Sequence, residues 1–205
     1  MWQPFAKLVN DRYACKEWKE DIEVPKSIIR RCLKLAGRAP SCLNTQPYKF
    51  IVVMSKEGKL RLANAMHGPN PGHVLKSSFS VVVAADPDPI PLLPKDAPPF
   101  AAQVLQEVSL AQSTPEAWAG KNATLAAGDL LLAFTAAGLQ TNPMEGFVSK
   151  DAVRQAVGLP EKYDVPLVVA VGYAKNPPPP QSSRRPVEEM CCLDHFGQPF
   201  TRSRL

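Results

Sequence analysis

Three polar side chains in a short segment bounded by prolines are the first candidates for chemistry. Ser41, Asn44 and Gln46 lie between Pro40 and Pro47 and supply one hydroxyl and two amides. Each amide presents both a donor and an acceptor, so the segment could bind the edge of a planar heterocycle. Ser, Asn and Pro are also common loop residues, and an ordinary polar loop between a helix and a strand is the alternative.

This segment resembles the flavin-binding turn of the FMN-dependent nitroreductase family. In that family a helix ends in Ala-Pro-Ser, and the chain then passes through Asn-x-Gln-Pro-aromatic into the first core strand. Residues 39–48 have the same order. The resemblance implies FMN contacts at five positions: Pro40, Ser41, Cys42, Asn44 and Gln46.

A second similar segment begins at Arg12. The family has Arg-x-Ser-x-Arg-x-Phe here, and its basic residues contact the phosphate and ribityl chain of FMN. The matching positions are Arg12, Tyr13, Ala14 and Lys16. Ala14 lacks the usual hydroxyl, whose hydrogen bond contributes about 0.5–1.5 kcal/mol, and Lys16 lacks the bidentate geometry of arginine. The alternative for both cations is solvated surface charge.

A third segment, residues 141–147, resembles the family's turn of Pro, any residue, Glu or Gly, Gly and Phe. The resemblance implies that backbone amides of this turn face the reactive edge of the flavin and that one donates to N5. A glycine lets the backbone approach a flat ring, and an amide proton stabilises electron density arriving at N5. The alternative is a plain helix-terminating turn. The predicted FMN contacts are Pro143, Met144, Glu145 and Gly146.

A fourth segment, residues 182–190, resembles the family's Lys-x-Arg-x-Pro-Leu-Glu-Glu motif. Arg184 occupies the arginine position, whereas Ser182 replaces the frequent lysine. The resemblance implies that basic residues here also reach the phosphate, so Arg184 and Arg185 are predicted to bind FMN. A disordered basic tail is the alternative.

Hydrophobic spacing predicts the elements that must position these segments. Helical patterns cover residues 1–10, 21–38, 57–66, 122–139 and 149–157, and apolar runs predict strands over 49–53, 78–85 and 167–173. The run in 78–85 is typical of a central strand buried on both faces. Residues 86–99 contain six prolines, and we expect residues 86–120 to form a lid or insert.

The resemblance implies an α+β fold in a single domain covering residues 1–205. We expect a three-layer α-β-α sandwich, whose central, mainly antiparallel sheet carries helices on both faces. The C-terminal arm, residues 177–205, would be exchanged between the subunits of a homodimer. Two FMN sites would then lie at the dimer interface.

The resemblance also implies an oxidoreductase. NADH or NADPH would give a hydride to FMN N5, and a nitroaromatic or quinone would then be reduced in a ping-pong cycle. No side chain is assigned as a catalytic residue, because the chemistry belongs to FMN with the Glu145 and Gly146 backbone near N5. Two alternatives remain. One is a dehalogenase-like or flavin-consuming branch of the same fold, and the other is a degenerate flavin-binding module without reductase activity.

Composition limits the other classes of function. The 205 residues are 45% hydrophobic and 21% charged, enough for one well-filled core. The net charge of +5 comes from scattered basic residues without interleaved aromatics, which favours anionic ligands over nucleic acid. No apolar run approaches the roughly 20 residues needed to span a membrane. His67 and His73 lie in a Gly/Pro loop without a carboxylate or thiolate, so no metal site is predicted.

Two features bear on the compartment. The five cysteines are odd in number and only Cys191 and Cys192 are close together, so we expect reduced thiols inside a cell. The terminal Ser203-Arg204-Leu205 is a variant of the peroxisomal Ser-Lys-Leu address. We therefore expect a soluble intracellular protein, either cytoplasmic or, in a eukaryote, peroxisomal.

Overall fold

The computed structural model describes residues 1–111 and 113–200 of the chain. Its helices are α1 (Trp2–Asp11), α2 (Lys26–Ala36), α3 (Lys56–Asn64), α4 (Asn70–Lys76), α5 (Ala101–Val104), α6 (Pro115–Ala136), α7 (Lys150–Val157) and α8 (Val187–Met190). A π-helical turn, Leu105–Leu110, continues α5, and 3₁₀ turns occur at Cys42–Asn44 and Ile90–Leu92. The strands are β1 (Tyr48–Val53), β2 (Phe79–Ala85), β3 (Gln140–Met144) and β4 (Asp164–Gly172).

The four strands form one antiparallel sheet in the order β1-β2-β4-β3. The register places Val53, Ser80, Ala170 and Asn142 side by side across the sheet. Paired residues of neighbouring strands point to the same face. Asn142 therefore shares a face with Ser80, although two strand spacings separate them.

Helices cover both faces of the sheet, which confirms the predicted three-layer arrangement. One face of the sheet packs against α2 and α6 through residues such as Ile29, Phe79 and Phe134. The other face packs against α3, α4 and α7 through Leu62, Val74 and Val153. Every residue of β2 is buried, as expected for a central strand in such a sandwich.

Helix α6 begins earlier than its hydrophobic pattern predicted. The Thr114 hydroxyl accepts a hydrogen bond from the Ala117 N–H at 3.2 Å, and Pro115 occupies the first turn. A threonine cap followed by proline is a standard helix start. Trp118 is 4% exposed, so it has a packing role in the first turns of α6.

Two other segments differ from the prediction. Residues 70–73 form the start of α4 and not a loop, because Gly68 takes a left-handed conformation (φ 62°) and Pro71 lies in the first turn, where it is tolerated. Residues 140–144 form a strand and not only a turn. Pro143 is accommodated because β3 is an edge strand.

The chain after β4 lies mostly on the surface. Residues 177–180 have no regular secondary structure and are exposed, as are residues 181–192 around α8. The predicted peroxisomal address, Ser203-Arg204-Leu205, lies outside the described residues.

Candidate functional site

The turn at residues 41–46 has an unusual backbone. Leu43, Asn44 and Gln46 all have positive φ values, of 49°, 55° and 47°. The Gln46 N–H donates to the Ser41 hydroxyl at 2.9 Å, and the Gln46 Nε2 donates to Asn44 Oδ1 at 3.1 Å. Left-handed residues other than glycine cost about 1–3 kcal/mol each and concentrate at ligand sites. The turn is therefore pre-formed by its own hydrogen bonds.

Helix α6 anchors this turn. The Cys42 N–H donates to Asn122 Oδ1 at 2.9 Å, while Asn122 Nδ2 donates to the Trp118 carbonyl at 2.8 Å. Asn122 is 7% exposed, so its amide is buried, and its bond to the Trp118 carbonyl lies inside the protein. Pro40, four residues after the end of α2, is exposed beside the turn. The sequence carries no signal for Asn122, because its partner is reached only through tertiary packing.

Two arginines from opposite ends of the chain line one cleft of about 700 Å³, which we call the arginine cleft. Residues 9–14 form one wall, which includes Arg12 and an Asp11 carboxylate paired with Lys7, and residues 178–182 with Arg184 form the other. The Arg184 Nη1 donates to Ser182 Oγ at 2.7 Å. Arg185 is exposed and does not line this cleft. Two guanidinium groups in one cleft suit a phosphate group.

A second cleft, of about 380 Å³, adjoins the arginine cleft and shares Tyr13 and Ala14 with it. Its other lining residues include Lys16 and Pro177. Burial raises the pKa of Tyr13 to about 12, and the neighbouring Cys15 adds to the rise. Tyr13 is therefore a neutral phenol at physiological pH.

Lys16 does not point into the arginine cleft. Its Nζ donates to Asn142 Oδ1 at 2.7 Å. The backbones of these segments also pair, since the Cys15 N–H donates to the Thr141 carbonyl at 3.0 Å. Asn142 is 0% exposed, and its Nδ2 has no hydrogen-bond partner among the described residues.

The turn at Glu145 and Gly146 follows directly and is fixed from the α4 side. The Gly146 carbonyl accepts from the His67 N–H at 2.9 Å and from Asn70 Nδ2 at 3.0 Å. A Cβ at position 146 would lie 2.7 Å from Asn70 Nδ2, so the turn packs closely against the Asn70 side chain. Glu145 and Gly146 are exposed, as is Pro143, whereas Met144 is 5% exposed and belongs to the core.

His73 joins the same region from α4. Burial lowers the pKa of His73, and the positive charge of Lys16 lowers it further, although a hydrogen bond with the Lys16 backbone opposes both effects. Asn70 and His73 were not predicted as site residues, because their segment was interpreted as a loop. The helical placement of Asn70 is what turns its amide toward Gly146.

Three of the four predicted segments thus meet within one chain. Residues 12–16 contact residues 141–142 and share clefts with residues 177–184. The turn at 41–46 packs instead against α6, with Cys42 and Leu43 on the other face of the sheet.

The comparisons with known proteins agree with this fold. The family model described as "Nitroreductase family" matches residues 9–173. The chain belongs to the nitroreductase family. An NADH dehydrogenase from Thermus thermophilus is 32% identical to it over 190 residues, which cover 87% of this chain and 90% of that protein.

Two solved structures show how far the likeness to this nitroreductase-family chain extends. A nitroreductase family protein from Streptococcus pneumoniae has a TM-score of 0.78 at 26% identity, covering 91% of this chain and 98% of its own. A protein from Exiguobacterium sibiricum, solved in complex with FMN, has a TM-score of 0.78 at 25% identity. The match covers 92% of this chain and 96% of that protein. These findings give no support to a peroxisomal address.

The residues of this nitroreductase-family chain fit FMN. The arginine cleft suits a phosphate, and the exposed Glu145–Gly146 turn leaves its backbone accessible to a flat ring. Among the described residues, the buried Asn142 Nδ2 three residues before this turn has no hydrogen-bond partner. Within the described part of the chain, no cluster of three metal-ligating side chains occurs, and no helix has the length and apolarity to cross a membrane.

Proposed function

We propose that this chain is an FMN-dependent oxidoreductase that uses NADH or NADPH to reduce nitroaromatic or quinone-type acceptors. The observation that carries the proposal is the convergence of Arg12, Arg184 and Lys16 on two adjoining clefts in one folded chain. Family membership and an FMN complex with the same fold support it.

Each part of the site has a role that follows from its chemistry. Arg12 and Arg184 hold the phosphate through charge-assisted hydrogen bonds. When bound, FMN supplies the hydride chemistry between nicotinamide and acceptor. The Gly146 backbone is held in place by His67 and Asn70, so its amide can be presented without reorganisation.

We further propose a homodimer in which the 41–46 turn of one subunit completes the clefts of its partner. This turn lies across the sheet from the clefts of its own chain. Two features of the chain leave room for a partner. One is a groove of about 940 Å³ at the outer edge of the sheet, which is lined by residues 51–54 of β1. The other is the arm after residue 176, which is exposed.

Subunit complementation tests this arrangement. An Arg12→Ala chain and an Asn44→Gly chain, each defective alone, are co-expressed with different tags and purified as the mixed dimer. If the turn and the clefts come from different subunits, one site of the mixed dimer is intact and about half of the wild-type activity returns. If both come from one chain, every site carries a defect and no activity returns.

Absorbance of the purified protein tests the activity itself. We expect the bands of oxidised flavin, which NADH or NADPH bleaches under anaerobic conditions and a nitroaromatic or quinone restores. A yellow protein that neither nicotinamide bleaches indicates the dehalogenase-like or flavin-consuming branch. A colourless protein that FMN does not stabilise against unfolding indicates the degenerate module. Steady-state rates with both nicotinamides then identify the donor and acceptor classes.

A further inference from the structure

The contact between Lys16 and Asn142 is unusual for a strand interior. Lys16 is an exposed residue, yet its ammonium ends on an amide that is 0% exposed, at 2.7 Å. Asn142 lies among apolar side chains on the α3–α4–α7 face, in register with Ala170. Its second amide atom, Nδ2, has no partner among the described residues.

An apolar residue would suit this position better for folding alone. A buried amide whose Nδ2 has no partner among the described residues lowers the free energy of unfolding. Such groups are rare in native proteins, and a bound water or a functional role explains those that occur. Asn142 is also followed immediately by Pro143, and the turn at Gly146 comes four residues after it.

We propose that Asn142 is a positioning residue that fixes the Lys16 ammonium on β3, three residues before the Glu145–Gly146 turn, rather than at the phosphate. This inference rests on the proposed function. Arg12 and Arg184 already line the phosphate-type cleft, and Lys16 turns away from it toward Asn142. Reduction adds electron density to the flavin ring, so a fixed ammonium near the ring stabilises the reduced form more than the oxidised form.

The test compares Asn142→Leu with the wild type as purified holoprotein, using two measurements that do not depend on turnover. One is the dissociation constant for oxidised FMN and for riboflavin, and the other is the midpoint potential of bound FMN. We expect reduced FMN to lose about tenfold more affinity than oxidised FMN, which lowers the potential by about 30 mV for a two-electron couple. Any loss of affinity for oxidised FMN should be equal for riboflavin, because the phosphate is not involved.

Two further variants separate positioning from a structural role. Ser80→Ala is the matched control, because Ser80 is also 0% exposed, lies on the same face, and has a hydroxyl with no partner among the described residues. It should leave both FMN measurements unchanged. In a Lys16→Met background, Asn142→Leu should have no further effect on the potential, since Asn142 acts through Lys16. Asn142→Leu should also unfold at a urea concentration no lower than that of the wild type.

Several results would overturn the inference. One is an unchanged midpoint potential in Asn142→Leu. Another is a loss of affinity that affects FMN and not riboflavin. A third is a drop in potential caused by Asn142→Leu that is equally large in the Lys16→Met background. A wild-type protein that binds no FMN removes the proposed function and this inference with it. A wild type that binds FMN and whose potential ignores Asn142 removes only the inference.

Discussion

Asn122 accepts a hydrogen bond from the backbone N–H of Cys42, so a buried amide of α6 holds the strained turn that the sequence marks as a ligand site. The turn has three residues with positive φ and cannot relax while this bond and its internal bonds persist. Strain of this kind is stable only where the surrounding structure over-determines it. Asn122 is therefore a support for the turn, eighty residues away in sequence.

Replacing Asn122 tests this support. In Asn122→Leu the Cys42 N–H loses its buried acceptor, and we expect the free energy of unfolding to fall by about 1–3 kcal/mol. The loosened turn should also weaken FMN binding. Urea unfolding of the apoprotein and fluorescence titration with FMN measure the two effects. Thr124→Ala is the control, because the exposed Thr124 hydroxyl bonds only within α6. An Asn122→Leu protein with wild-type FMN affinity would contradict the proposed role of this anchor.

The elements that depend on local residue patterns could be predicted from the sequence. The strand at residues 78–85 is a continuous apolar run, and the turn at 41–46 is marked by its prolines and amides, so both could be identified without coordinates. The start of α4 could not, because the prolines at positions 69 and 71 suggested a loop although Pro71 lies in the first helical turn.

The supporting contacts of the site could not be predicted either. Asn142 meets Lys16 across 126 residues, and Asn70 meets Gly146 across 76. Nothing in the local pattern of an asparagine shows which distant group it will contact. These pairs become visible only when the sheet order and the position of α4 are known.

The close contact between Gly146 and Asn70 predicts that the turn at Glu145 and Gly146 does not tolerate a larger residue. Gly146→Ala places a Cβ 2.7 Å from Asn70 Nδ2, so Asn70 must move and give up its hydrogen bond to the Gly146 carbonyl. We expect the lost hydrogen bond to lower the free energy of unfolding by about 0.5–1.5 kcal/mol and FMN binding to weaken. Thermal and urea unfolding measure the first effect.

A double variant isolates the steric cause. Adding Asn70→Ala to Gly146→Ala removes the clashing amide and should restore part of the lost stability. Gly72→Ala is the matched control, since no atom lies within 4 Å of its Cβ and it sits inside α4. Its stability should stay equal or rise by about 0.5–1 kcal/mol. If Gly146→Ala is as stable as Gly72→Ala, the close contact with Asn70 does not constrain the turn.

His73 predicts a dependence of stability on pH. Burial, and then the charge of Lys16, lower the pKa of His73 in the folded protein below its usual 6.5. As the pH falls below about 6.5, the unfolded chain therefore binds the proton first, and stability declines until the folded His73 is also protonated. Well above pH 6.5 the residue is neutral in both states and contributes no pH dependence.

The variant His73→Gln removes this contribution. The decline in the urea midpoint between pH 7 and pH 5 should be shallower in His73→Gln than in the wild type. Gly72→Ala serves as the control, because it changes α4 next to His73 and keeps the imidazole, so its slope should equal that of the wild type. Equal slopes in His73→Gln and the wild type would show that His73 is not held neutral by its surroundings.

The arginine cleft gives a prediction that depends on the ligand's phosphate. Arg12→Ala or Arg184→Ala should weaken FMN binding about 10- to 100-fold, because a hydrogen bond to a charged group is worth about 1.5–3 kcal/mol. Riboflavin, which lacks the phosphate, should bind both variants as it binds the wild type, and added salt should weaken FMN more than riboflavin. Arg185→Ala should have a smaller effect, since Arg185 lies outside this cleft. Equal losses for FMN and riboflavin would place the phosphate elsewhere.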